Sequence, residues 1–232
     1  MEGRRRFAWG SRRELLPQAL ARTSLSRVFS PMHPAASINS NTSTRRIIGI
    51  DDGPFKPKRG ANRGYAPLVA VWLQGPHLYK LKLGMITVDG LDATNEALSL
   101  LDGSHGIPIL LSGVTFGGFN LIDPRVVRQR CKASVIVVVG SRPDNRAVKR
   151  ALVKHFPDWK KRWEIIKSLG PLRRVQTLQD EPPLFYENLG CTPLEARRVL
   201  SSAAYVSRVP EPVRVAGLLG SGLFSQTRRS SG

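Results

Sequence analysis

Five short apolar runs, each stopped by a turn signal, set the strongest limit on what this chain can fold into. Ile47-Ile48-Gly49-Ile50 ends at Asp51-Asp52-Gly53-Pro54. Ala66–Leu73 and Leu78–Val88 are joined by Gln74-Gly75-Pro76-His77, and Ile107–Leu111 and the apolar Ser134–Val139 come later. Runs this short, bounded by Gly, Pro and Asp, read as strands rather than helices. The first three follow one another as a meander, so each reversal leaves the first and third pointing the same way. The last two each follow a helical segment. One covers 95–101, capped by Asp92 or Thr94; the other runs from Asp123-Pro124 to about Arg130, with Asp as N-cap and Pro in the first turn. Right-handed crossovers make the fourth and fifth strands parallel to the first.

Beyond Val139 the pattern predicts helices over 144–155 and 158–169, divided by Pro157. Short strands are expected at 172–178 and 184–189, then helices over 193–204 and from about Pro210 to Ser225. The expected class is α/β: a mixed sheet of three antiparallel meander strands plus two parallel strands, with flanking helices and a small C-terminal α/β appendage.

This order has a chemical consequence. The C-terminal ends of strands one, three, four and five share one edge, where open α/β sheets place ligands. Asp51 and Asp52 end strand one, Asp89 ends strand three with Asp92 just beyond, and the turn after strand four leads to Asp123. Taken singly, Asp51–Gly53 suits an ordinary turn, and Asp92 and Asp123 suit helix caps. Taken together, carboxylates without His or Cys partners favour hard cations, hence Mg²⁺ or Mn²⁺. Two such ions clamp the attacking and leaving oxygens in phosphodiester cleavage.

Charge supplies the second constraint. The 232 residues hold 36 Lys and Arg against 17 Asp and Glu, a formal net charge of +19, which points to a polyanionic partner, nucleic acid first. Nine Arg lie in residues 1–46, a Ser-rich, acid-poor stretch without hydrophobic period. Residues 1–45 read as a disordered basic tail, a start placed too far upstream, or an organelle transit peptide. The folded domain is expected over 46–226, with a second tail at 227–232. Lys56, Lys58 and Arg59 beside the first aspartates are expected to meet phosphates. Two cysteines exclude a disulfide framework or a four-cysteine zinc site, and no apolar run nears the ~18 residues of a membrane span. No Gly-rich Lys-Ser/Thr loop is present, which argues against an NTPase. The turn Gly113-Val114-Thr115-Phe116-Gly117-Gly118-Phe119-Asn120 reads as a tight turn or a substrate wall. Trp159 and Trp163, on a helix with Lys160, Lys161, Arg162 and Lys167, read as core anchors.

Several strings resemble motifs of the archaeal endonuclease dU family. They are Ile48-Gly49-Ile50-Asp51-Asp52-Gly53-Pro54-Phe55, Val88-Asp89-Gly90-Leu91-Asp92-Ala93-Thr94 and Gly113–Asp123. His155-Phe156-Pro157-Asp158-Trp159 and Pro210-Glu211-Pro212-Val213-Arg214-Val215-Ala216 follow in the same order, so the resemblance spans about 46–225. It implies an RNase H-like core related to endonuclease V, and a metal-dependent endonuclease acting on DNA with deaminated bases, especially deoxyuridine. An archaeal, cytoplasmic protein follows from it, with DNA as partner and no membrane or small-molecule cofactor. Asp51 and Asp89 are the implied catalytic metal ligands, with Asp52, Asp92 and Asp123 as further ligands. Gly113, Thr115, Phe116, Gly117, Gly118 and Asn120 are the expected wall around an everted base, and Arg214 a further substrate contact. Two departures stand out: Ser112 occupies the place of an endonuclease V aspartate, and Gly217 that of a histidine in many relatives. The alternative is a non-catalytic nucleic-acid-binding protein that kept the nuclease fold.

Overall fold

The run that begins the domain forms β1 (Arg46–Asp52), and the rest of the sheet is laid out from it. In the computed structural model, which describes residues 45–55 and 64–225, β1 pairs antiparallel with β2 (Tyr65–Gln74), which pairs antiparallel with β3 (His77–Thr87). On its other side β1 pairs parallel with β4 (Ile109–Leu111), and β4 parallel with β7 (Val135–Val139). The meander and both parallel strands are therefore where the apolar runs put them. A short hairpin, β5 (Thr115–Phe116) and β6 (Asn120–Leu121), stands apart from the main sheet.

The expected C-terminal appendage joins the main sheet. β9 (Leu184–Leu189) pairs antiparallel with β7, and β8 (Arg173–Val175) with β9, completing the order β3-β2-β1-β4-β7-β9-β8. The reason lies in β7: all-apolar Val135–Val138 are buried, and a strand buried on both faces needs a hydrogen-bonded neighbour on each edge.

Alternation along β1 assigns the two layers. Ile48 and Ile50 face α1 (Ala93–Leu100) and α2 (Pro124–Cys131), in a core with Leu68, Trp72, Ile86, Ile109 and Leu111. Each such isoleucine contributes about 1.5–3 kcal/mol by burial. Ile47 faces the other layer, with Leu110, Ile136, Tyr186 and residues of α5 (Pro193–Ser202). Helix α6 (Glu211–Ser225) crosses that face, its Ala216 packing with Val69, Val71 and Leu73 of β2. Gly49 permits this approach: a Cβ there would lie 2.1 Å from the Pro212 backbone.

Helices α3 (Asn145–His155) and α4 (Trp159–Lys167) form a hairpin packed through Val148, Leu152 and Ile166 on Leu121 and Phe119. Trp159 and Trp163 are anchors in that cluster, as their spacing predicts. Pro157 divides the two helices. No helix among the described residues is long and apolar enough to cross a membrane. The tail expected at 1–45 lies, apart from Arg45, outside the described residues, as do the tail at 227–232 and the basic segment with Lys56, Lys58 and Arg59.

Candidate active site

Asp51 and Asp52 end β1, and the two-residue period of a strand sends their side chains to opposite faces. Asp51 follows Ile47 and Gly49 onto the α6 face. Ser112, one residue past β4, donates its hydroxyl to Asp51 Oδ1, and the Asp52 N–H donates to the same oxygen at 2.9 Å. The other oxygen, Oδ2, faces α6 at Gly217, where a Cβ would sit only 2.4 Å away. Gly217 thus makes room for Oδ2, which lies where a side chain would collide with it.

Burial pushes the Asp51 carboxyl up to about 7; the Ser112 hydrogen bond opposes this and the neighbouring Asp52 charge adds to it. This carboxylate is largely withdrawn from water beside a second negative charge. Among the described residues, the ion pairs use Asp123, Asp158 and Glu211 instead.

Asp52 follows Ile48 and Ile50 to the opposite face, where it meets the β5–β6 turn. Gly117 N–H donates to Asp52 Oδ2 at 2.7 Å, and Phe119 N–H donates to Asp89 Oδ1 at 2.8 Å. The Asp89 N–H returns a bond to the Gly117 carbonyl at 2.8 Å. Two successive glycines make this possible: Gly117 and Gly118 have φ of 51° and 91°, and a Cβ on Gly118 would strike Asp89 Oδ1 at 2.3 Å. Asp89 itself has φ 57°, a left-handed position that Asp tolerates better than most residues. Burial raises the pKa of Asp52, against the hydrogen bond from Gly117.

The other two aspartates of the expected edge are used elsewhere. Asp92 stands at the N-cap of α1, but its carboxylate turns back to accept from Thr87 N–H, Thr87 Oγ1 and Asn120 Nδ2. Burial raises its pKa, yet these hydrogen bonds outweigh it and hold the group below its ordinary value. Asp123 caps α2 through Arg125 N–H at 2.9 Å and is gripped by the Arg125 guanidinium at 2.8 and 3.1 Å. Burial raises its pKa as well, and the Arg125 bonds prevail and lower it. In this structure the oxygens of both are engaged by local donors. Among the described residues, no group of three or more His, Cys, Asp and Glu is close enough to hold a metal.

Three expected substrate contacts are buried or paired in this structure. Asn120 is 0 % exposed and joins Ala93 N–H, the Thr87 carbonyl and Asp92, so it ties the strand-three loop to β6. Phe116 is 1 % exposed in the core. Arg214 grips the buried Glu211 carboxylate at 2.6 and 3.0 Å, one helical turn away. Gly113 and Thr115 remain at the turn, Gly113 with φ 145°.

Arg162 is the residue that the sequence did not single out for this role. Named only among the basic residues of α4, it is 2 % exposed. Its guanidinium donates to the carbonyls of Asp89 at 3.1 Å, Gly90 at 2.9 Å and Phe119, and to Asp158 at 2.9 Å. It clamps together the two loops that present Asp89 and the glycine turn. No sequence pattern marks it, because most of its partners are backbone carbonyls.

A family model described as endonuclease dU matches residues 43–224. A UPF0215 protein of Methanothermobacter thermautotrophicus is 35 % identical over 80 % of this chain and 91 % of its own length. A crystal structure of an Archaeoglobus fulgidus protein is similar with a TM-score of 0.67 and 28 % identity, covering 77 % of this chain and 98 % of that one. Endonuclease V of Bacillus subtilis shares the fold, with a TM-score of 0.52 at 13 % identity over 81 % of this chain and 84 % of that one.

Proposed function

Because this chain belongs to the endonuclease dU family, we propose that it is a metal-dependent endonuclease that cuts DNA at deaminated bases, deoxyuridine among them. The observation that carries this reading is Asp51: a carboxylate desolvated beside a second aspartate, with Oδ2 packed against Gly217, where the absence of a side chain makes room for it.

A hard divalent cation fits this donor set. Mg²⁺ keeps several waters and needs only one or two carboxylates plus substrate phosphate oxygens. The lack of a third acidic ligand is therefore compatible with it. Asp51 would hold the ion from the α6 face, while Asp52 and Asp89 stand at the same end of the sheet on the opposite face. When bound, such an ion activates water and stabilises charge on the phosphate.

The chain's own residues supply the rest. Ser112 orients Asp51 through Oδ1 and leaves Oδ2 as the working atom. Burial pushes this carboxyl up to about 7 in the metal-free protein, and a bound cation would offset that desolvation by favouring the charged form. The Gly117 and Phe119 N–H groups hold Asp52 and Asp89 in place, and Arg162 fixes that turn from behind. Gly113 and Thr115 stand where the strand-four turn would line an everted base.

The test is purified protein with Mg²⁺ and a labelled uracil-containing duplex. Nicking that EDTA abolishes and Asp51→Asn removes supports the reading. Tight binding without nicking identifies a binding protein on a nuclease fold instead.

A further inference from the structure

We propose that the outer face of α3 is the surface that grips the phosphate backbone of duplex DNA beside the acidic edge; this rests on the nuclease reading and adds the path of the substrate. Arg146, Lys149, Arg150 and Lys154 stand together with Val153 on that face, all five exposed. Val148 and Leu152 hold the opposite face of the helix in the core.

Helix energetics account for only part of this gathering of cations. Among the described residues, the ion pairs are made by Arg125, Arg162 and Arg214, none of them on α3. Arg146 with Arg150, and Arg150 with Lys154, are like charges four apart, which repel on a helix surface. Lys154 in the last turn suits the helix dipole, but Arg146 in the first turn opposes it. Lys149 places its ammonium 5.6 Å from the Trp163 ring centre. A polyanion laid along the face removes the repulsion, whereas a merely solvated face would mix signs.

The position is right as well. β7 runs parallel to β4 and β1, so its C-terminal end lies at the Asp51 end of the sheet, and α3 starts a few residues later. The buried face of α3 packs on Phe119 and Leu121, which belong to the hairpin that holds Asp52 and Asp89. Arg146 to Lys154 spans about 12 Å of helix axis. One DNA strand rises about 3.4 Å per phosphate, so the row matches about three to four phosphates.

The test measures binding of the full chain to an undamaged labelled duplex in EDTA across a salt series. Arg146→Gln, Lys149→Gln and Arg150→Gln combined should flatten the slope of log K against log salt by about two to three, close to 0.9 per lost contact. Arg46→Gln, Arg130→Gln and Lys132→Gln, at the opposite end of the sheet, should leave the slope unchanged. Thermal midpoints near the parent's establish that both triples are folded. An unchanged slope in the α3 triple, or equal flattening in both triples, overturns the proposal. If the parent nicks DNA while the α3 triple keeps its slope, this surface alone is wrong. A parent that binds no duplex removes the nuclease reading and this one with it.

Discussion

Replacing Asp51 by Asn should make the metal-free protein more stable at pH 8 while removing its activity. Burial raises the Asp51 carboxyl from 3.8 to about 7, so the folded chain binds this proton more tightly than the unfolded chain. The resulting penalty is absent below pH 3.8, grows as the pH rises, and is complete above about 7. At about 1.4 kcal/mol per tenfold change, the displacement gives an upper limit of about 4 kcal/mol. Asp51 is partly exposed, and water reaching it reduces this to about 2 kcal/mol. Asparagine keeps the shape, can still accept from Ser112, and carries no charge to desolvate. In EDTA at pH 8 the midpoint of Asp51→Asn should exceed the parent's by about 4–8 °C. The gain should shrink as pH falls and vanish near pH 4. Burial also pushes Glu187 up to about 7, which gives both proteins a pH dependence of the same sign, so the difference between them isolates Asp51. With Mg²⁺ present, nicking should fall by orders of magnitude. Equal midpoints at pH 8, or a gain independent of pH, would refute the reasoning that a desolvated charge sits at this position.

Two glycines on this face should respond differently to the same methyl group. Gly217→Ala meets only the mobile end of Asp51, so it should keep a midpoint near the parent's and lose more than about tenfold in nicking rate as the carboxylate rotates away. Gly49→Ala meets the Pro212 backbone of α6 and should fail to give a cooperative unfolding transition. Arg162→Lys should lower stability by about 2–4 kcal/mol in denaturant unfolding, since one ammonium cannot reach three carbonyls and Asp158 together. Amide exchange at Gly117 and Phe119 should accelerate in that variant; unchanged exchange would show that Arg162 does not clamp the turn.

How far the sequence reached follows from the range of each interaction. Apolar runs, their two-residue period and their turn residues are local, so they determined the strands, the meander, the parallel pair and the capping of α2 by Asp123. The same period already places Asp51 and Asp52 on opposite faces, a consequence hidden when the aspartates are read as one edge. The surroundings of Asp51, Asp52 and Asp89 were decided by groups distant in the chain. Asp52 meets an N–H 65 residues away, Asp51 a hydroxyl 61 away, and Asp89 an arginine 73 away through its carbonyl. Asp92 looked like a ligand or a helix cap; it stands at the N-cap of α1, but its carboxylate turns back to Thr87 and Asn120. Segments 173–175 and 184–189 read as an appendage because nothing in them tells which strand they will pair with. Only the buried, unpaired edge of β7 decides that. Gly217 carries no side chain for a motif to register, and its role exists only because α6 lies across β1. Local propensity and period are written residue by residue, whereas desolvation and hydrogen-bond capture arise only once the chain has closed on itself.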